Sequence, residues 1–381
     1  MLDYEVLAVG RNNRTRPLLQ RIRDIQNPWA IEYVEQLTNW LALEADPERS
    51  RLSDELESSD LGTFHSAALE LFLTGYFRRR GWLAERHPLI AQSAKAPDFG
   101  VRHDGGDFYA EAVVGQDPPK KSAQRQVMLA LRDELDEVEG PFDVSITPTG
   151  PWDGRFSRSR VRTFLEQQLR LLEGKPDIRT ATVDYTLDPH LPLQFDIFRG
   201  DTVGPVVAAW WTGDNMPATV TTHETLYDRV RRKASRYGKL DRPYVVFVRL
   251  ETDFPVFWFA IERALYGSIT ANFRRVEDGG TEFVGRTQGR DGVFSGHDRA
   301  GRPIHTRLSA VGIYHHFTDW VAINRHELAI YHNPWAALPL EPGVFSDLPQ
   351  LISTRTASAF VRREWVGEPP EWAVEERRLQ G

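Results

Sequence analysis

A predicted hairpin with an acid on each strand constrains this chain more than any other part of its sequence. The pattern predicts a strand at 99–103 (FGVRH), a DGGD turn and a second strand at 107–114 (DFYAEAVV). Antiparallel pairing brings Asp98, near the start of the first strand, close to Glu111, near the end of the second. Two carboxylates that converge at the end of a buried sheet are costly unless a cation lies between them. A divalent metal ion is the obvious candidate.

The composition limits the class of protein and the kind of site. The chain of 381 residues can form two domains or one heavily decorated domain, and its 41% hydrophobic and 27% charged residues are ordinary for a globular protein. It has no cysteine, so any metal must have oxygen or histidine ligands. The net charge of −7 is not that of a non-specific nucleic-acid binder, so nucleic-acid binding would require local basic patches.

Two features bear on where the protein works. The N-terminus lacks the basic-then-apolar layout of a secretion signal. The most apolar run, 244–266, is interrupted by charged residues and by Pro255, which favours a buried strand followed by a helix over a membrane span. The sequence therefore predicts a cytoplasmic protein with no membrane partner.

A helix and a strand are predicted before the hairpin, at 63–80 and 82–86. Glu70 lies on this helix among apolar neighbours, which is an unusual place for a charge without a partner. The order is thus helix, strand, strand, strand, with acids at Glu70, Asp98 and Glu111. As an alternative, Glu70 forms a structural ion pair with an arginine of the same helix end, such as Arg78 or Arg80.

This order resembles the catalytic core of the PD-(D/E)XK nuclease superfamily, the restriction-endonuclease-like fold. Pro97-Asp98 matches the first half of the motif, and residues 111–113 (EAV) match the second half, except that Val113 occupies the usual lysine position. The resemblance implies that the three acids hold one or two Mg²⁺ (or Mn²⁺) ions and that the protein hydrolyses phosphodiester bonds in DNA. Magnesium prefers oxygen ligands and can polarise a phosphoryl oxygen.

A lysine from elsewhere would have to replace the one missing at Val113, and in this superfamily it can come from a neighbouring helix. The helix predicted at 222–238 offers Lys233 and, four positions later, Tyr237 on the same face. We slightly favour Lys233 as this catalytic lysine, although a solvated helix lysine is the simpler explanation. Nearer alternatives directly follow the Glu111 strand: Lys120, Lys121 and Gln124.

The domain organisation follows from the same resemblance. The helix at 222–238 and a strand at 243–250 would be the second core helix and the fourth core strand. We expect an N-terminal helical segment at 1–60, a restriction-endonuclease-like core at 61–250 with an insertion at about 115–221, and a C-terminal α+β region at 251–381. The predicted fold class is α/β, with a mixed central sheet flanked by helices. Residues 273–305 show little periodicity and are predicted to form a mobile loop or irregular ribbon.

Three arginine clusters could contact nucleic-acid phosphates, although arginines on a helix often form only a solvated face. The first is Arg78-Arg79-Arg80, the second comprises Arg155, Arg158, Arg160 and Arg162, and the third comprises Arg229, Arg231, Arg232 and Arg236. Trp152 and Phe156 could stack on bases beside the second cluster. The predicted nucleic-acid contacts are Arg155, Arg158, Arg229, Arg232 and Tyr237.

Other interpretations stay open. A histidine-rich end (His315, His316, His326, His332 and Asn333) could form a metal or His-Asn-His nuclease site, but it has no characteristic ligand spacing. Val113 also fits a nuclease-fold subunit that binds nucleic acid or partner proteins without cleavage. The segments KASRYGKLDRPYVVFV and YHNPWAALPL resemble segments of bacterial proteins that carry such a core and have no defined activity. A role in restriction or phage defence, with partner proteins of that system, is what the resemblance implies.

Overall fold

Two compact units make up the chain. A computed structural model describes residues 17–24, 28–91, 93–116, 131, 134–135, 137–149, 157–187, 192–205, 208–210, 221–251, 258–275, 281–314, 328–355 and 361–367. One unit comprises 1–31, 57–61 and 118–219, and the other comprises 32–56, 62–117 and 220–381. We call the first the inserted unit and the second the main unit.

The helices, in chain order, are α1 (Leu18–Asp24), α2 (Pro28–Leu41), α3 (Glu48–Leu56), α4 (Leu61–Arg79), α5 (Arg158–Glu173), α6 (Thr221–Ala234) and α7 (Trp258–Tyr266), with a 3₁₀ turn at Pro342–Phe345. The strands of the main unit are β1 (Leu83–Arg86), β2 (Phe99–Arg102), β3 (Phe108–Gln116), β8 (Tyr244–Glu251), β9 (Ile269–Arg275), β10 (Thr281–Gln288), β11 (Ala310–Tyr314), β12 (Leu328–His332), β13 (Gln350–Arg355) and β14 (Val361–Val366). The inserted unit contains β4 (Glu139–Pro148), β5 (Thr180–Tyr185), β6 (Leu193–Pro205) and β7 (Ala208–Trp210).

An eight-stranded mixed sheet forms the centre of the main unit, in the order β1-β2-β3-β8-β11-β12-β13-β14. The first three strands are antiparallel neighbours, whereas β3 runs parallel to β8 and β8 parallel to β11. β12 pairs antiparallel with β11 and parallel with β13, and β14 closes the order antiparallel to β13. The prediction of an α/β fold with a mixed central sheet flanked by helices is confirmed.

Helices cover both faces of this sheet because its strands alternate apolar side chains between them. On one face, Phe77 of α4 is fully buried and meets the rings of Phe99, Phe108 and Phe247 edge-on, at centroid distances of 5.6–6.1 Å. On the other face, α6 packs against β3, β8 and α7. Val113 faces this second cluster, so it belongs to the α6 side of the sheet.

The inserted unit has its own core. Its four strands form a sheet in the order β5-β6-β4-β7. Helix α5 buries Val161, Leu165 and Leu169, which lie one turn apart along one face, in a cluster with the apolar side chains of this sheet.

Residues 269–288 correct one sequence-based expectation. Part of the stretch predicted as a mobile loop or irregular ribbon forms a regular two-stranded antiparallel sheet of β9 and β10. The pairing has a bulge between Phe283 and Gly285. Its strands carry few buried side chains, so the apolar periodicity that normally marks a strand is weak there.

None of the helices that the structure describes is long and apolar enough to span a lipid bilayer.

Phe77→Ala tests the packing of α4 on the sheet. Loss of the fully buried ring leaves a cavity beside the rings of Phe99, Phe108 and Phe247, so the free energy of unfolding should fall by about 3–5 kcal/mol. Urea denaturation measures the change. Leu89→Ala removes a side chain that is 94% exposed and should change stability by no more than about 0.5 kcal/mol. Equal losses in the two variants would contradict the described packing.

Candidate functional site

Asp98 and Glu111 lie opposite each other, just before β2 and in the first half of β3. Phe99 pairs with Ala110, so the antiparallel register places Asp98, one residue before β2, opposite Glu111 and on the same face. A carboxylate oxygen of Asp98 also accepts a hydrogen bond of 2.8 Å from the backbone N–H of Ala112. The Pro-Asp turn is thereby joined directly to the strand that carries Glu111.

The Glu111 carboxylate is completely buried, with 0% of its side chain exposed. Lys233 Nζ and Arg236 Nη1 pair with Glu111 Oε1, the latter at 2.6 Å, and the hydroxyl of Tyr237 donates to Oε2. A buried carboxylate is costly unless cations and hydrogen-bond donors surround it. Lys233 is in α6, and the other two donors follow its C-terminal end, so this part of the chain compensates the charge of β3.

Tyr237 is a buried donor at this site. It is 2% exposed, and its hydroxyl lies 3.0 Å from the carbonyl oxygen of Ala96 as well as against Glu111. Burial and the Glu111 charge raise the pKa of Tyr237 far above its usual value, so the hydroxyl keeps its proton. The predicted nucleic-acid contact by Tyr237 has no support from this position, because the side chain faces Glu111 and the segment before Asp98.

Asp98 carries the least compensated charge of the pair. Burial, followed by the charges of Glu111 and Glu70, raises its pKa from 3.8 to about 7, although the Ala112 hydrogen bond and Lys233 act in the opposite direction. Near neutral pH the carboxyl group of Asp98 is therefore partly protonated. A bound cation would favour its ionised form.

Glu70 is held by two arginines at the other side of the sheet. Its Oε2 lies 2.6 Å from Arg51 Nη2 and 3.0 Å from Arg86 Nη1. Arg86 also pairs with the buried Glu44 and lies over the ring of Phe99, 4.2 Å from its centroid. This is a structural ion pair of the kind that the sequence left open, but its partners are Arg51 and Arg86 instead of Arg78 or Arg80.

A cleft lined mainly by cations lies beside Glu111. It has a volume of about 450 Å³ and is lined by Lys95, Val113, Arg229, Arg232, Lys233, Ser235 and Arg236. We call it the basic cleft. Val113 supplies its apolar part, and residues 229, 232, 233 and 236 recur at the three- and four-residue spacing of one helical face.

Arg229 is a cation of the basic cleft without a compensating carboxylate contact. It forms no hydrogen bond or ion pair with any residue that the structure describes, and burial and the charge of Arg232 lower its pKa. A bound anion would add to the small opposite effect of Asp228 and offset the charge of Arg232. Arg229 and Arg232 were predicted from the sequence as nucleic-acid contacts, and both lie in the cleft that also contains Lys233.

The donor set fits Mg²⁺ or Mn²⁺ with two carboxylates. In the described part of the chain, no group of three or more His, Cys, Asp or Glu side chains is arranged to hold a metal ion. Magnesium, however, is commonly bound by one or two carboxylates together with water and substrate phosphates. The uncompensated charge at Asp98 supports a cation there. Asp98 and Glu111 would be its ligands, and Glu111 would then have to give up part of its contacts with Lys233, Arg236 and Tyr237. Glu70 could join them only by leaving Arg51 and Arg86.

The other predicted residues belong to further elements of the two units or lie outside the described residues. Arg158 is the first residue of α5 in the inserted unit and is exposed. His332 is buried and lies 2.8 Å from the side-chain oxygen of Gln350, and Asn333 donates to the Leu308 carbonyl, which indicates packing roles. The following lie outside the described residues: Lys120, Lys121, Gln124, Trp152, Arg155, Phe156, His315, His316 and His326.

Replacing Asp98 by Asn is expected to change how the stability of the metal-free protein depends on pH. With the pKa of Asp98 raised to about 7, the folded state keeps a proton that the unfolded state releases. The free energy of unfolding of the parent should therefore fall as the pH rises from about 4 to about 7, and Asp98→Asn should remove this contribution. Chemical denaturation in EDTA at a series of pH values measures the difference.

Asp291→Asn provides a control of opposite sign. Burial opposes ionisation of Asp291, but hydrogen bonds from the backbone and hydroxyl of Ser268 hold its pKa below the usual value. Its contribution to stability is present above the ordinary carboxyl pKa and is lost as the pH falls through the lowered pKa. If Asp98→Asn kept the pH profile of the parent, the environment assigned to Asp98 would be wrong.

Sequence reasoning missed Lys95, Arg51 and Arg86, and it named Arg236 as a candidate phosphate contact but not as a partner of Glu111. Lys95, Arg51 and Arg86 lie on other segments of the chain, and no local sequence pattern shows that these segments pack against the acids.

Comparisons of the chain with protein-family models, curated proteins and solved structures found no match in any of the three. The interpretation of this site therefore depends on its own contacts.

Proposed function

We propose that the protein is a metal-dependent nuclease that hydrolyses phosphodiester bonds in DNA. The observation that carries this proposal is the pair of half-buried Asp98 and fully buried Glu111, with Lys233 on Glu111, beside the basic cleft. In this proposal, Asp98 and Glu111 are the metal ligands and Lys233 is the amine that carries a proton. The cations of the basic cleft, beside them, bind the polyanion.

The order of elements supports a nuclease core of the PD-(D/E)XK type. Helix α4 precedes the antiparallel strands β1, β2 and β3, and α6 then leads to β8, which runs parallel to β3. These are the helix, three strands, second helix and fourth strand expected from the resemblance. Residues 118–219, between β3 and α6, belong to the inserted unit.

Each residue has a distinct task in this proposal. Asp98 and Glu111 would hold Mg²⁺ or Mn²⁺, and the bound ion would supply polarisation of the phosphoryl oxygen and a lower pKa for an attacking water. Lys233 reaches Glu111 from α6, on the side of the sheet that Val113 faces, and its ammonium group can orient that water and offset negative charge that develops on the phosphate. Arg229 and Arg232 bind neighbouring phosphates in the basic cleft.

A second candidate function is a nuclease-fold subunit that binds nucleic acid or partner proteins without cleaving. Two observations favour it: Val113 stands at the usual lysine position, and Glu70 is already neutralised by Arg51 and Arg86. In that case Lys233 and Arg236 are only the structural counter-ions of Glu111.

A role in restriction or phage defence, partner proteins and a cytoplasmic location are further proposals that depend on the resemblance and on composition.

Cleavage of plasmid DNA in Mg²⁺ or Mn²⁺ tests the catalytic proposal. Asp98→Asn and Glu111→Gln should each lower the rate at least about 100-fold because they weaken the metal site, and Lys233→Ala should have a similar effect. Lys239→Ala, an exposed lysine nearby, should keep the parental rate. Circular dichroism and thermal unfolding would show that each variant is folded. A folded parent that cuts neither plasmid nor single-stranded DNA would overturn the proposal.

Glu70→Gln separates the two roles open to Glu70. If Glu70 is a metal ligand, the variant should lose cleavage at saturating Mg²⁺ while it remains folded. If the ion pair with Arg51 and Arg86 is structural, the variant should lose about 1–3 kcal/mol of stability while cleavage by the folded fraction persists. The loss is limited because Arg51 keeps Glu48 and Glu55 as partners and Arg86 keeps Glu44. Denaturation and single-turnover cleavage measured on the same preparation distinguish these outcomes.

Arg229→Ala tests the basic cleft as the binding site for DNA phosphates. Loss of one phosphate contact should weaken binding in EDTA and reduce the slope of log affinity against log salt concentration by about one unit. Arg231→Ala is the matched control, because Arg231 is on the same helix but does not line the cleft. Fluorescence anisotropy with a labelled duplex at several salt concentrations provides both values. Equal slopes for the two variants would place DNA elsewhere.

A further inference from the structure

The two-stranded sheet of β9 and β10 presents an exposed aromatic face. All seven residues of β9 are exposed, and Phe273 and Phe283, paired across the strands, are 63% and 53% exposed. Their rings lie 5.8 Å apart between centroids, in an edge-to-face arrangement. Val284, the extra residue of the bulge, is also exposed. We call β9 and β10 together the aromatic ribbon; exposed apolar clusters of this kind generally mark binding surfaces.

The aromatic ribbon is firmly attached at its base. The Gly289 N–H donates to the Ser268 carbonyl at 2.7 Å, and the Ser268 N–H donates to the Asp291 carboxylate at 2.8 Å. The side-chain amide of Gln288 donates to the carbonyl of Tyr266, the last residue of α7. Gly267 provides the left-handed turn, with φ of +87°, from α7 into β9. The aromatic face is therefore held in place when a ligand binds, which limits the entropy cost of binding.

The attachment places the ribbon on the same side of the central sheet as the basic cleft. Tyr266, at the end of α7, belongs to the apolar cluster that also includes residues of α6 and β3. Helix α7 packs directly against α6, which carries Arg229 and Lys233. One ligand could thus contact both the cleft and the ribbon.

The charges around the rings favour a polyanion. Arg275 lies two residues after Phe273, hence on the same face, and it is exposed. β9 and β10 contain one acidic residue, Glu282, and it lies on the face opposite to Phe273 and Phe283. There it pairs with Arg274 at 2.6 Å. Among the residues that the structure describes, the aromatic face therefore has no carboxylate. Within those described residues, a second copy docked through the same face would offer no carboxylate to Arg275.

We propose that the aromatic ribbon binds a single-stranded stretch of the nucleic acid, with unpaired bases stacked on Phe273 and Phe283 and Arg275 near the backbone. Aromatic rings that project from a sheet beside cations are the combination that single-strand binding uses, because every base has a face for stacking. Duplex bases are already stacked on each other and offer these rings little. The inference rests on the proposed function for its substrate class and narrows that class to DNA with a single-stranded region.

Anisotropy with a fluorescein-labelled oligothymidylate in EDTA, where no metal-dependent cleavage occurs, tests this inference. Phe273→Ala and Phe283→Ala should each weaken binding at least about fivefold, since stacking contributes about 1–3 kcal/mol per base. Phe273→Trp should retain affinity, whereas Phe273→Leu, which is apolar but has no π face, should lose it. Affinity for a blunt duplex should change less than twofold in all four variants.

Phe198→Ala is the matched control, since Phe198 is also an exposed strand phenylalanine but lies in β6 of the inserted unit. It should bind oligothymidylate as the parent does. Parental affinity in both alanine variants of the ribbon, or equal affinity of Phe273→Leu and Phe273→Trp, would overturn the inference. So would sedimentation that showed a dimer which Phe273→Ala dissociates, because a second copy would then cover the face.

The outcomes for the ribbon and for the proposed function are separable. Binding of oligothymidylate that depends on Phe273, with no cleavage in any metal, would support the inference and overturn the nuclease proposal. Cleavage of duplex plasmid that requires Asp98, with no dependence of oligothymidylate binding on Phe273, would do the reverse.

Discussion

Burial of the Glu111 carboxylate is the constraint on which the rest of the site depends. A fully buried charge on a central strand must be matched, and Lys233, Arg236 and Tyr237 match it from α6 and the residues that follow it. These contacts fix α6 over β3. They also bring the other cations of that helix face, Arg229 among them, to the edge of the sheet. The basic cleft is thus a consequence of the way in which the protein compensates one buried acid.

Asp98 links this arrangement to the opposite side of the sheet. Its pKa responds to Glu111, its cross-strand neighbour, and to Glu70 on α4. The two neighbouring acids are compensated differently, because Glu70 is paired with Arg51 and Arg86 whereas Glu111 faces a lysine, an arginine and a tyrosine. Asp98 is left as the acid whose ionisation a cation would most favour.

The sequence was informative where local rules act. Turn residues and strand periodicity predicted the hairpin, and its register places Asp98 opposite Glu111. Helical spacing predicted that Lys233 and Tyr237 share one face, and both side chains contact Glu111. Apolar periodicity did not predict β9 and β10, because the side chains of this two-stranded sheet are mostly exposed. Such strands lack the apolar alternation of a half-buried strand. The partners of Glu70 were also missed, since Arg51 is on a different helix and Arg86 on a strand.

Residue spacing along short segments was enough to predict the α/β class, the strands that carry the two acids and the helix that carries Lys233. Only the tertiary structure decided which charges meet. The pairing of Lys233 with Glu111 joins residues far apart in the chain, across the inserted unit, and no local pattern specifies it. The same holds for Tyr237, whose hydroxyl is buried against Glu111. Long-range packing sets these contacts, since the cost of a buried charge appears only once the strands and helices have assembled.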